Sequence, residues 1–168
     1  MNATTDYADF SQLYKTICRF DRFLGLELEV LQPGKIIYRL AVVENHLSMP
    51  PACHGGVIAA MMDSTLGVTA LSWAVAQGKL CATVEFKTHF FSQVKEGDRL
   101  QGTGEIDFTG SSLVVPTAEI MDITTNRLVA KGMGTFTLYP ITKKKELLEL
   151  LAKGKADDQL QQDNPLKT

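Results

Sequence analysis

Apolar and polar positions change period several times along the chain. Phe10, Leu13, Ile17 and Phe20 recur at helical spacing, which predicts an amphipathic helix over 5–23, stopped by Gly25. Leu26, Leu28 and Val30 then alternate with Glu27 and Glu29, the pattern of a half-buried strand. Pro33-Gly34 reads as a turn and a second strand follows over about 35–43. Residues 44–54 contain Pro50-Pro51 and no periodicity, as a stiff loop would. After Gly55-Gly56 the chain is apolar for about twenty residues, predicting a helix to near Gly78. Four strands are expected next, over 80–92, 98–108, 112–122 and 127–139. The first alternates Thr83, Glu85, Lys87 and His89 with Val84, Phe86, Thr88 and Phe90, and "KEGDR" (95–99) turns into the second. An amphipathic helix from Thr142 and a polar tail over 154–168, disordered by composition, complete the pattern.

This order, α-β-β-α-β-β-β-β, has consecutive strands joined by short turns, hence an antiparallel sheet in an α+β fold. A helix that is apolar all round must be enclosed, so the sheet is expected to curl around 55–77. Small residues on that helix would let the strands approach closely. The expected division is an N-terminal helix over 1–24, one domain over 25–141, and a C-terminal helix and tail over 142–168.

The apolar run is long enough to cross a membrane. Asp63, Ser64, Thr65, Gly67, Thr69 and Ser72 interrupt it, and no basic residue flanks it closely. A charge at the centre of a membrane helix is costly, so no span is expected. The 168 residues with 45% hydrophobic content suit one core, and the net charge of −2 offers nothing to nucleic acid or an anionic membrane. Three cysteines without paired spacing and the lack of a signal-peptide pattern point to a reduced, cytoplasmic setting.

Asp63 is the one charge in the apolar helix, with nothing basic at 59, 60, 66 or 67. A carboxylate there needs a partner from elsewhere or a pocket to face. It is either a buried group capping another segment or a functional base. The helix start favours function, because Gly55 and Gly56 leave N–H groups where positive partial charge collects. Such donors stabilise a developing oxyanion, and with a carboxylate base they match ester or thioester hydrolysis. Eight residues separate Gly55 from Asp63, about 12 Å along a helix. One carbonyl cannot meet both groups of one chain. A two-fold dimer with antiparallel central helices would bring Asp63 to the partner's glycine twice.

"HGG" (54–56) with Asp63 seven residues past Gly56, then "ATVEFKTHFFSQVKEGDRL" (82–100) and "AKGMGTFTLYP" (130–140), resembles the hotdog-fold thioesterases of the PaaI-like, phenylacetate-pathway type over about residues 20–140. The resemblance implies an antiparallel sheet wrapped around a central helix and hydrolysis of acyl-CoA to free acid and CoA. It implies no cofactor, and a homodimer or dimer of dimers. Asp63 would activate water or attack directly, the Gly55 N–H would polarise the thioester carbonyl, and His54 would sit beside the thioester. Thr83 would help hold the water, while Gly56 and Phe86 join the substrate-binding candidates. The sequence departs from the family where Asn is frequent six residues before the histidine and Gly three before it. Ser48 and Pro51 stand there, and Asn45 would match only through a shifted loop.

His54 has no metal-ligand spacing with Cys53, His46 or His89, so no metal is expected. Cys53 lacks the supporting groups of a nucleophile, and no G-x-S-x-G elbow surrounds Ser48 or Ser64. Phe86, Phe90 and Phe91 suit core and interface as well as an acyl pocket. A non-catalytic acyl-CoA-binding hotdog protein is the alternative. A DNA-linked sensor lacks its basic patch, and a hotdog hydratase would need a histidine on the helix face that carries Asp63.

Overall fold

A computed structural model describes residues 3–141. Two helices, α1 (Ala3–Ile17) and α2 (Arg19–Leu24), precede the hairpin of β1 (Glu27–Gln32) and β2 (Lys35–Ala41). A 3-10 turn over Glu44–His46 leads to a small hairpin, β3 (Leu47–Met49) and β4 (Ala52–Cys53). The long helix α3 (Gly55–Ala76) follows, then β5 (Lys79–Phe90), β6 (Arg99–Thr109), β7 (Leu113–Asp122) and β8 (Arg127–Pro140). The expected helix from Thr142 and the tail lie outside the described residues.

Six strands form one antiparallel sheet in the order β1-β2-β6-β7-β8-β5, wrapped around α3. This is the hotdog arrangement and agrees with the α+β expectation. The expected helix over 5–23 is interrupted at Cys18, where the chain is extended (φ −82°, ψ 90°), and α2 ends on Gly25 in the left-handed region at φ 72°. The expected loop over 44–54 contains the small hairpin, with Pro50-Pro51 at its turn.

Helix α3 buries Ile58, Met61, Met62, Leu66 and Val68 against Ile36, Tyr38, Leu40, Leu100, Ile120 and Phe136 of the sheet. Close approach is arranged from both sides. Thr65 and Thr69 turn their hydroxyls onto the helix's own carbonyls, Met61 O and Thr65 O, at 2.7 Å each, so neither buried hydroxyl is left unmatched. Glycines oppose them: a Cβ on Gly102 would lie 2.7 Å from Thr65 Oγ1 and one on Gly104 2.0 Å from Thr69 Oγ1. Ser72 accepts the Gly34 N–H at 3.0 Å, tying the β1–β2 turn to the helix. The helix is long and apolar enough for a membrane, but its buried surface is taken up by the sheet.

One stripe of α3 escapes that enclosure. Ala59, Asp63, Gly67 and Leu71 succeed one another at four-residue intervals and are only half-buried. The apolar helix tolerates Asp63 because the carboxylate sits on this open stripe.

Candidate active site

Asp63 lines a cleft of about 260 Å³ between α3, the N-terminal helices and strands β5 and β8. Tyr14, Cys18, Phe20 and Asp21 form one wall, and Cys81, Ala82 and Thr83 of β5 another. Asp63 Oδ1 is buried and has no hydrogen-bond partner among the described residues. Burial, and then the negative charge of Asp21, push the Asp63 carboxyl above the ordinary carboxylate range. A half-buried carboxylate with an unmatched oxygen in a cleft has free capacity to accept a proton.

Thr83 lines the same cleft just before a fault in its strand. Along β5, Thr83 pairs with Phe136 and Glu85 with Thr135, so Val84 is an inserted bulge residue. A bulge switches which face successive residues occupy. Before it, Cys81 packs on the core and Thr83 lines the cleft; after it, Phe86 packs on the core. Without the insertion Thr83 and Phe86, three residues apart, would lie on opposite faces.

His54, Gly55 and Gly56 form the start of α3. His54 is the N-cap: its Nδ1 accepts the Gly56 N–H at 2.8 Å. That bond places the proton of the neutral ring on Nε2. The expectation that both glycine N–H groups stand open is therefore corrected: Gly56 donates to His54. Gly55 N–H has no partner among the described residues. His54 N–H donates to His46 O at 2.8 Å and Cys53 N–H to Val94 O at 2.9 Å, fixing this corner on the β3–β4 hairpin. Ser48 is exposed and donates to Ala52 O at 3.3 Å. Asn45 is exposed on the 3-10 turn. Neither lines the Asp63 cleft. Within one chain the structure thus joins Asp63 with Thr83, and His54 with Gly55 and Gly56, as two separate groups.

Asp21 is the group that sequence reasoning passed over. It is 5% exposed, and it accepts hydrogen bonds from Tyr38 Oη on Oδ2 and from Ser64 Oγ on Oδ1, the latter at 2.9 Å. A signal was present: Tyr14, Cys18 and Asp21 fall at helical spacing and so share one face. Burial pushes the Cys81 thiol up to about 11 and raises those of Cys18 and Cys53, so none is a ready thiolate nucleophile at neutral pH. Among the described residues no group of three metal-ligating side chains occurs.

Comparison with known proteins bears on the fold. The thioesterase superfamily model matches residues 51–129. Human acyl-coenzyme A thioesterase 13 is 26% identical over 117 residues, covering 69% of this chain and 82% of that protein. The Escherichia coli PaaI protein of the phenylacetic acid degradation operon superposes with a TM-score of 0.74 at 17% identity, covering 82% of this chain and 96% of that one. A hypothetical thioesterase protein from Streptococcus pneumoniae, solved with coenzyme A, superposes with a TM-score of 0.62 at 23% identity, over 68% of this chain and 86% of that one. The sheet wrapped around α3 and these likenesses agree on a hotdog fold, and residues 51–129 match the thioesterase superfamily.

Proposed function

We propose that this protein hydrolyses acyl-coenzyme A thioesters to a free acid and coenzyme A. The observation that carries the proposal is Asp63, a half-buried carboxylate with an unmatched oxygen on the one open stripe of α3, facing a cleft with Thr83. The name of the human relative and the coenzyme A in the Streptococcus pneumoniae structure supply the substrate class.

In the reaction Asp63 takes a proton from water, which attacks the thioester carbon, or attacks that carbon itself and is released by water. Thr83 holds the water. The Gly55 N–H, at the positive end of α3, meets the carbonyl oxygen as it gains charge. His54, fixed with its proton on Nε2, stands beside it. Gly56 holds His54 in place, and Ser48 with Asn45 borders the same end. The carbon–sulfur bond breaks; on the base route the leaving thiolate takes the proton that Asp63 removed from water, and on the direct route it leaves as thiolate and is protonated from solvent. No cofactor or metal enters this scheme.

The Gly55 N–H and Asp63 lie about 12 Å apart along one helix, so the site is completed by a second copy of the chain. Support comes from β5. It ends the sheet, is twelve residues long, and leaves Val84 62% and Phe90 53% exposed. A long unpaired edge with exposed apolar residues on it can pair with another strand. Pairing β5 with its copy places two α3 helices side by side, as a dimer or within a dimer of dimers. Nothing in this scheme needs a membrane or nucleic acid, and a cytoplasmic setting suits the free cysteines.

A panel of acyl-CoA thioesters, followed by thiol release, tests the proposal. Turnover of at least one member that is lost in Asp63→Asn is expected. Saturable binding of every acyl-CoA with no thiol release would instead establish a binding protein.

A further inference from the structure

Two carboxylates share the cleft, and the proposed chemistry uses only one. Asp21 comes from α2, 43 residues before Ser64 in the chain, yet it is anchored to that neighbour of Asp63. Ser64 Oγ donates to its Oδ1 and Tyr38 Oη to its Oδ2. Tyr38 is wholly buried and Asp21 nearly so, so this is a built arrangement and not a surface contact. These two donors are neutral hydroxyls, so neither places a positive charge beside the Asp21 carboxylate. Asp63, one residue from Ser64, keeps a buried oxygen without any partner.

We propose that Asp21 is a positioning residue for the thioesterase reaction: anchored by Tyr38 and Ser64, it presses its charge on Asp63 across the cleft and strengthens that carboxylate as a base. This rests on the role proposed for Asp63 above. Two like charges in one site favour a proton on one of them, which is the demand on a group that must take a proton from water. Tyr14, Cys18 and Asp21 line one side of the cleft together, and Phe20, half exposed, lies at its edge.

The other titratable groups facing Asp63 are Tyr14 and Cys18 from the first wall and Cys81 from β5. Burial raises the pKa of all three, so they are neutral where a carboxylate titrates. Tyr38 of β2, raised the same way, meets Asp21 from behind. Glu85 of β5 lies beyond the bulge, is exposed, and accepts Thr135 Oγ1 at 2.7 Å. Arg19 and Arg22 of α2 are exposed and are not among the cleft-lining residues.

The test is Asp21→Asn, read by the pH profile of kcat/KM and by carbon-13 NMR titration of the Asp63 carboxyl. The Asp63 signal is assigned by its loss in Asp63→Asn. Removing the neighbouring charge should move the acid limb to lower pH and lower the plateau severalfold, because the weaker base transfers the proton less well. The carboxyl titration should move the same way. A purely structural Asp21 would lower the plateau and leave both midpoints in place, and that result overturns the proposal. If Asp21→Asn does not fold, the pair Asp21→Asn/Tyr38→Phe removes the charge together with a hydroxyl that faced it, a substitution that buried sites tolerate better than losing one partner; the same two midpoints decide. A wild-type protein inactive on every thioester would overturn the proposed function alone, since the carboxyl titration judges the coupling without turnover.

Discussion

Replacing Asp63 with asparagine should move activity and stability in opposite directions. Asparagine keeps the shape of the side chain but neither takes a proton at neutral pH nor forms an acyl intermediate. A positioned base contributes at least about a hundredfold, which is about 2.7 kcal/mol of transition-state stabilisation at about 1.36 kcal/mol per tenfold. The fold should gain. A buried carboxylate oxygen without a partner costs about 1–3 kcal/mol. Asp63 is only half-buried and water screens part of the cost, so the lower end, about 1 kcal/mol, applies. In a chain of this size that raises Tm by about 2–4 °C. The introduced amide can also turn its N–H groups toward the negative charge of Asp21, where the native carboxylate meets repulsion. The pH dependence has a definite sign. The folded Asp63 pKa is raised, by burial first and by Asp21 second, so above the unfolded carboxylate value the native state holds the proton more tightly than the unfolded chain. Wild-type stability attributable to this group therefore falls as pH rises through the folded pKa and stays low above it. The Tm advantage of Asp63→Asn should be full at pH 8 and shrink on acidification. Thermal scans across that range, beside thiol-release kinetics at saturating acyl-CoA, measure both effects. A variant that is less stable than wild type at pH 8 would show that Asp63 holds the fold together, and one with near-normal kcat would remove it from the chemistry.

Three further outcomes are expected. A Cβ on Gly56 would lie 2.7 Å from His54 Nδ1, so Gly56→Ala should displace the His54 ring and lower kcat/KM with Tm little changed; an unshifted His54 nitrogen-15 spectrum would contradict this. Gly104→Ala would press a methyl to 2.0 Å from Thr69 Oγ1 and 3.2 Å from Thr65 O; overpacking of this kind costs about 1–3 kcal/mol, which thermal denaturation should register while kcat of the folded fraction holds. Inactive Asp63→Asn and Gly56→Val chains, mixed under conditions of subunit exchange, should regain about a quarter of wild-type activity, because half of the random dimers are mixed and each has one intact shared site; no recovery despite proven exchange would place the whole site in one chain.

The order of elements was legible because its signals are local. Alternation marked β1, β6 and β7 within a residue or two, Gly25 marked the end of α2, and the unbroken apolar run marked α3 as the enclosed helix. Where the reading failed, the cause was a single backbone step that composition does not encode. The extended residue at Cys18 splits a helix whose apolar spacing continues through it, and Ile17 and Phe20, read as part of its apolar face, are exposed while Asp21 is buried. The inserted Val84 breaks an alternation that looks regular over the whole of 80–92, because polar and apolar residues continue to alternate in sequence while the faces they occupy have exchanged.

The candidate site was legible only as far as its residues announce themselves by contrast with their surroundings. Asp63 does so, being the one charge in an apolar helix. Asp21 lies between two arginines and two phenylalanines, where a carboxylate attracts no notice, and only the fold brings it to Ser64. The glycines illustrate the opposite error. Two in succession at a helix start suggested two open donors, but a histidine ring at the N-cap claims the second of them at 2.8 Å. The same bond gives Gly56 a reason of its own, since any Cβ would drive that ring away. The donor that remains, on Gly55, has no partner among the described residues, and a Cβ there would meet nothing within 4 Å. An unobstructed N–H at one end of α3 and an unmatched carboxylate eight residues further on are each incomplete within one chain. In the proposed dimer, antiparallel pairing of two such helices would supply to each what the other leaves open, and the exposed β5 edge is the surface proposed to bring them together.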